Sequence, residues 1–338
     1  MRSFLYQRAT DPSMAVQALS AAAAANNPLT QAAAQPLAGG TTLIDLMKLD
    51  VMRPTAIVDI NSLAQGWSAI EPGGESLRLG ALAKMSDVAA HDEIQRSYPV
   101  IANSLKLAAS AQLRNMATLG GNVMQRTRCS YFRDVSYENC NKRRPGSGCA
   151  AMDGVNRMHA VLGTSDQCIA TYPGDFAQAL IALDAIVEIT GKAGTRGMPF
   201  AQLHKAPASS PEIETTLQPG ELISGFTVSG RWPRSVYLKV RDRQSYEFAL
   251  SSAAVALDVQ DGVIRDARVA LGGVATVPWR AREAEALLKG QKFDEALAQR
   301  AADAAFADAR GRQHNSFKIA LGKRVVARAL QQAVMMEI

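Results

Sequence analysis

The chain is poor in cysteine, histidine and aromatic residues and has no long apolar run. Four cysteines and four histidines occur in 338 residues, and Phe, Trp and Tyr together make up 6%. No stretch reaches the ~18 consecutive apolar residues of a transmembrane helix, so no membrane span is expected. Residues 1–11 hold no apolar run between a basic start and a small-residue cleavage site, so no secretory signal is expected on this chain. Gly-x-Ser-x-Gly and His-Glu-x-x-His are both missing, which argues against a serine hydrolase and a zinc protease. His91, His159, His204 and His314 are isolated and are read as structural. Neither a Walker A loop nor a dinucleotide Gly-x-Gly-x-x-Gly is present.

What is there describes a globular protein. Apolar residues make up 47% and charged residues 20%, enough for an ordinary core. The length suggests two domains, with a plausible boundary at Trp232-Pro233. The net charge of +6 does not by itself indicate nucleic acid. The excess is uneven: Arg126, Arg128, Arg133, Lys142, Arg143 and Arg144 face only Asp134 and Glu138 in their segment. They offset thiolate charge, line a solvated loop or face an acidic partner.

Pattern reading gives helices over 11–27, 100–113 and 175–183 and strands over 56–59, 77–82 and 185–190. A three-stranded antiparallel meander follows over 236–240, 251–259 and 263–271, with a hairpin at Asp261-Gly262. Helices broken near Gly290 and Gly311 end the chain.

Two glycine turns interrupt the first half. Pro36-Leu37-Ala38-Gly39-Gly40-Thr41-Thr42-Leu43 reads as strand, turn and helix, and Thr118-Leu119-Gly120-Gly121-Asn122 as a second turn. Without a Cβ, backbone N–H groups can approach a pyrophosphate. Each alone is as well read as a tight turn; together they could grip two phosphates from two sides. All four cysteines, Cys129, Cys140, Cys149 and Cys168, fall in one forty-residue window with spacings x10, x8 and x18. Such a set holds zinc or an iron–sulfur cluster, or forms two disulfides, or packs as four buried thiols; spacing does not choose. The 126–153 segment around them is aperiodic and long for a loop, beyond ~12–15 residues.

Together these pieces resemble the FAD-binding subunit of the xanthine dehydrogenase/aldehyde oxidase family of molybdenum hydroxylases over nearly the whole chain. Ala38-Gly39-Gly40-Thr41 and Thr118-Leu119-Gly120-Gly121-Asn122 resemble the two turns that clamp the FAD diphosphate. Gln112-Leu113-Arg114-Asn115, Tyr172-Pro173-Gly174-Asp175, Glu221-Leu222-Ile223, Lys239 and Gly272-Gly273-Val274-Ala275 stand in the family's order. The resemblance implies Asp175 at the FAD ribose, Ile223 lining the flavin, Lys239 near the flavin N1, and Ala108 among the cofactor contacts. No catalytic residue is implied on this chain.

One departure narrows the resemblance. Asn122 and Asp175 lie 53 positions apart, and the cysteines fall inside that insertion. Thr127-Arg128-Cys129, Cys140-Asn141-Lys142-Arg143 and Pro145-Gly146-Ser147-Gly148-Cys149-Ala150 look like the subgroup whose flavin subunit carries an additional [4Fe–4S] cluster, as in three-subunit periplasmic aldehyde oxidoreductases. That resemblance, and not the spacing, implies Cys129, Cys140, Cys149 and Cys168 as cluster ligands. It also implies an α+β fold. A two-lobed FAD-binding domain of the PCMH type would span 1–230, with the cluster loop inserted at about 126–170. A smaller domain of the CO-dehydrogenase flavoprotein C-terminal type, three antiparallel strands plus helices, would span 231–338. The implied partners are a large molybdenum-cofactor subunit and a small subunit with two [2Fe–2S] clusters. FAD would pass electrons to an external acceptor, and no nucleic acid would be bound. The implied compartment is the periplasm, reached through a partner's twin-arginine signal, with the cytoplasm as the alternative. A zinc module with a basic binding loop and a stand-alone FAD oxidase are the competing readings.

Overall fold

The computed structural model describes residues 1–22 and 29–337. The first helix is Pro12–Ala22, started by Asp11, whose Oδ1 accepts from the Met14 N–H at 2.9 Å. Residues 23–27, which pattern reading adds to this helix, lie outside the described residues.

Among the described residues twelve strands form three sheets. The first is parallel: β1 (Leu5–Arg8), β2 (Ala34–Leu37) and β3 (Ala56–Asp59), with β3 central. The second is antiparallel and built from distant segments: β4 (Ile70–Pro72), β5 (Ser76–Gly80), β6 (Ile186–Gly191), β7 (Gly194–Pro199) and β8 (Leu222–Ser229). Its order, β4-β5-β8-β6-β7, puts β8 between strands more than a hundred residues apart in sequence. The third is the expected meander, β9 (Ser235–Val240), β10 (Ser251–Gln260) and β11 (Val263–Gly272), closed by a two-residue strand β12 (Trp279–Arg280). Asp261 and Gly262 turn the hairpin with φ of 52° and 73°, as a tight turn matched to strand twist requires.

The meander is buried on both faces, and its period of two divides the core. Ala254, Ala256 and Ala270 face the large N-terminal core with Phe176 and Phe226. Ala253, Val255, Leu257, Val269 and Leu271 face a second core under the helices Arg282–Leu288, Glu295–Ala305 and Phe317–Val334. Small residues on the first face let the sheet approach the neighbouring domain closely.

The single helix expected over 100–113 is two helices, Pro99–Lys106 and Ala111–Met116. Ala109 breaks it at φ 48°, a left-handed conformation costing roughly 1–2 kcal/mol for a residue with a Cβ. Ser110 then caps the second piece from the Leu113 N–H, and the Arg114 guanidinium donates to the Ala108 carbonyl at 2.8 Å.

The cysteine segment has one short helix, Ser130–Arg133, yet it is anchored at both ends. Arg128 and Arg133 pair with Asp45 of the first lobe. Val161 and Leu162 donate to the Val274 carbonyl, and Asn315 donates to the carbonyls of His159 and Ala160. Several of its cations therefore satisfy internal partners instead of facing solvent. No helix of the described residues is long and apolar enough to cross a membrane.

Candidate functional site

A cavity of about 700 Å³ opens beside β2 and β8, within the range of cofactor sites. Pro36, Ala38, Gly39, Gly40, Thr41, Thr42 and Leu43 form one wall, and Thr118, Gly120, Gly121 and Ile223 contribute another. The first motif packs against the residues leading into the second: a Cβ on Gly39 would stand 2.1 Å from the Met116 carbonyl oxygen. Gly40 sits at φ 73°, and Asn61 holds the turn by donating to the Ala38 carbonyl at 3.0 Å.

The two motifs then differ. No partner among the described residues accepts from the N–H groups of Gly39, Gly40, Thr41 or Thr42. They form a concave donor set suited to an anion. The second motif is a short helix, Leu119–Val123, capped by Thr118. Gly121 donates to Thr118 Oγ1, Gly120 to the Ala81 carbonyl and Leu119 to the Ala83 carbonyl. Its glycines give close approach; the free donors belong to the first motif. The Asn122 side-chain oxygen is buried without a protein partner.

Leu37, Ala108, Leu119, Asn122, Asp175 and Lys239 are not among the lining residues. The last two meet each other. Lys239 Nζ lies 2.8 Å from Asp175 Oδ2 and 3.1 Å from the Leu107 carbonyl, and Tyr237 donates to Asp175 Oδ1 at 2.6 Å. Both side chains are buried, Lys239 to 1% exposure. The sequence expectation put them at different parts of one cofactor. The fold joins the two side chains in a single buried ion pair. Removing one member of such a pair typically costs about 3–5 kcal/mol.

Among the charges that line the cavity are Arg126, Lys142 and Glu214, which the sequence reading did not assign to the site. Arg126 lies 2.7 Å from Glu214 Oε2, and Lys142 lies 2.7 Å from Glu214 Oε1. The Arg126 guanidinium also stacks on Phe132, 4.8 Å from the ring centre. Burial alone would raise the Glu214 carboxyl, but the two cations hold it down at about 2. His204 lines the cavity too, edge-on to Tyr172 at 4.8 Å; burial holds it neutral with a pKa of about 4. Arg126 follows the second glycine motif directly, a cue that counting charge overlooked. Glu214 carries no local signal, since its partners are 88 and 72 residues away.

Cys129, Cys140, Cys149 and Cys168 are free thiols and line one small cavity. Disulfides are not formed. Burial pushes the Cys129 thiol up to about 12, while the bond from Cys168 holds Cys149 down at about 6. His159 Nε2 sits 3.1 Å from Cys129 Sγ. Among the described residues no three Cys, His, Asp or Glu side chains are disposed to hold a single metal ion. The four cysteines share the lining of that small cavity with Tyr131, Phe132 and Asn141. Lys142 and Ala170 line both this cavity and the large one.

A free N–H cradle, two glycine motifs and a large mixed-polarity cavity define a protein that binds a phosphate-bearing cofactor. Residues 2–228 match the family model described as the FAD binding domain in molybdopterin dehydrogenase, and residues 236–333 match the CO dehydrogenase flavoprotein C-terminal domain. The chain belongs to the FAD-binding subunits of the molybdenum hydroxylase family and is an oxidoreductase subunit. It is 45% identical over 335 residues to the aldehyde oxidoreductase FAD-binding subunit PaoB of Escherichia coli, covering 98% of this chain and 99% of that one. To the carbon monoxide dehydrogenase medium chain of Hydrogenophaga pseudoflava it is 25% identical over 89% of each chain. The solved carbon monoxide dehydrogenase of that organism superposes with a TM-score of 0.75 over 98% of this chain and 97% of its own, at 24% identity. That likeness is one of fold. FAD fits the residues present: its diphosphate needs the donors that Gly39 to Thr42 leave free.

Proposed function

We propose that this chain is the FAD- and [4Fe–4S]-bearing electron-transfer subunit of a heterotrimeric, molybdenum-dependent aldehyde oxidoreductase. Its partners would be a large molybdenum-cofactor subunit and a small subunit with two [2Fe–2S] clusters. The observation that carries this reading is the pairing of the phosphate cradle with a four-thiol cage behind the same wall. Bound FAD supplies the redox chemistry that joins the partner's [2Fe–2S] clusters to an external acceptor. The chain's own residues bind and orient it. Gly39, Gly40, Thr41 and Thr42 present donors to the diphosphate, Ile223 offers an apolar surface, and Arg126 and Lys142, sharing Glu214, brace the wall.

The thiols of Cys129, Cys140, Cys149 and Cys168 suit an iron–sulfur cluster by number and chemistry. The choice of a cluster over zinc rests on the resemblance of the segments around Cys129, Cys140 and Cys149 to flavin subunits that carry an additional cluster. We also place the complex in the periplasm, exported folded through a partner's twin-arginine signal, because a cofactor-loaded assembly can travel only in its folded state.

Co-expression with the two partner subunits tests the division of labour. The three chains should co-purify in equal amounts, and aldehyde should reduce an external dye only when all three are present. Aldehyde oxidation by this chain alone, or an unchanged rate to the same acceptor without it, would refute the proposal.

A further inference from the structure

The four-cysteine cage and the large cavity are not merely neighbours. Three of the four cysteines have a residue two positions away in the wall of the large cavity: Thr127 beside Cys129, Lys142 beside Cys140, and Ala170 beside Cys168. The contacts are direct. The Cys129 N–H donates to Thr127 Oγ1 at 3.2 Å, and the Ala170 N–H donates to Cys168 Sγ at 3.4 Å. Thr127 Oγ1 in turn donates to the Thr171 carbonyl at 2.9 Å, joining the two wall segments.

The charged part of the wall is held the same way. Lys142 reaches out of the cysteine loop to Glu214 Oε1 and to the Pro211 carbonyl, at 2.7 and 3.0 Å. Glu214 Oε2 takes the Nε of Arg126, which is 7% exposed and has an Nη2 without a partner among the described residues. Lys142 is thus the only charged side chain among the described residues that lines both cavities. Glu214 is shared, with Arg126 on one carboxylate oxygen and Lys142 on the other.

We infer that Lys142, through Glu214 and Arg126, is a positioning residue that couples the state of the four-cysteine site to the affinity of the large cavity for its flavin nucleotide. With the cysteines tied to one group, the loop holds Lys142 against Glu214 and the wall keeps its shape. With the tie broken, the loop relaxes, Glu214 is released and the wall opens. By linkage, the coupling works equally in both directions. The inference rests on the FAD and cluster reading above.

The test is a cycle of four full-length proteins: wild type, Cys168→Ser, Lys142→Met and the double variant. FAD dissociation constants come from flavin fluorescence titration of apoprotein, and iron is measured on each sample. Cys168→Ser should lose its iron and weaken FAD binding about tenfold, a coupling typical of linked sites. In the Lys142→Met background, Cys168→Ser should add no further loss. Lys142→Arg, which keeps the charge and reach, should restore the dependence on Cys168, a result that general destabilisation by Lys142→Met would not give. Equal FAD affinity with and without Cys168, or the same penalty in both backgrounds, would overturn the coupling while leaving FAD binding and iron content in the wild type intact. A wild type that binds neither iron nor FAD would overturn the inference together with the reading beneath it.

Discussion

Gly39→Val should yield a folded protein that purifies almost without flavin. A Cβ at this position would stand 2.1 Å from the Met116 carbonyl oxygen and 2.9 Å from its carbon, so backbone, not a pliable side chain, must give way. The first motif would be forced away from the Met116 backbone, and the donor set from Gly39 to Thr42 would turn away from the diphosphate. Overpacking of this kind costs about 1–3 kcal/mol in stability. Loss of two or more charge-assisted bonds, each worth about 1.5–3 kcal/mol, would weaken FAD by roughly two orders of magnitude or more. Gly74→Ala is the matching control, since a Cβ there meets nothing within 4 Å. Flavin absorbance relative to protein absorbance, with circular dichroism to confirm the fold, reads the outcome. Full flavin content in Gly39→Val would remove the cradle from the account.

The second large effect is on iron. Each of Cys129→Ser, Cys140→Ser, Cys149→Ser and Cys168→Ser should lower the iron of anaerobically purified protein from about four per chain to near zero. A serine oxygen is a harder and poorer ligand for the cluster, and all four sulfurs line the same small cavity. FAD should still be taken up by these variants when supplied in excess. The loop should become more sensitive to protease, because the apolar cluster around Tyr131, Ala151 and Ile169 that packs within it is small. One zinc and no iron in the wild type would leave the flavin site standing and remove the iron–sulfur cluster. Four thiols free or paired as disulfides, with no metal, would leave the cage unexplained.

The parts of this protein that were legible in its sequence are those fixed by local chemistry. Asp261-Gly262 marks its hairpin because few other pairs accept two positive φ values, and alternation over 251–271 marks the strands around it. Gly39 and Gly40 were legible as a turn whose backbone N–H groups can approach a phosphate, and Gly40 takes the positive φ of 73° that such a turn favours. The break at Ala109 was not legible, since alanine favours helix and only the surrounding packing holds it left-handed. The pairing of β5 with β8 was equally hidden, being set by contacts about 150 residues apart.

The site shows the same division. The cysteines announced themselves by clustering. Arg126, Lys142 and Glu214 did not, because their arrangement depends on a carboxylate brought in from another part of the chain. Asp175 and Lys239 are the instructive pair. Family resemblance implies each beside the cofactor; that the two also form one buried ion pair was not legible, because they lie far apart in sequence. Tyr237 donates to the other carboxylate oxygen, which fixes the orientation of the pair in the fold.

The central claim is that this chain holds one FAD in the cavity between the two glycine motifs. The most direct measurement is to denature a weighed amount of purified protein and to identify and quantify the released flavin by chromatography. The expected result is FAD at about one per chain, with no FMN or riboflavin, because the free donors of Gly39 to Thr42 address a diphosphate. No flavin after reconstitution with excess FAD, or FMN bound in its place, would contradict the account.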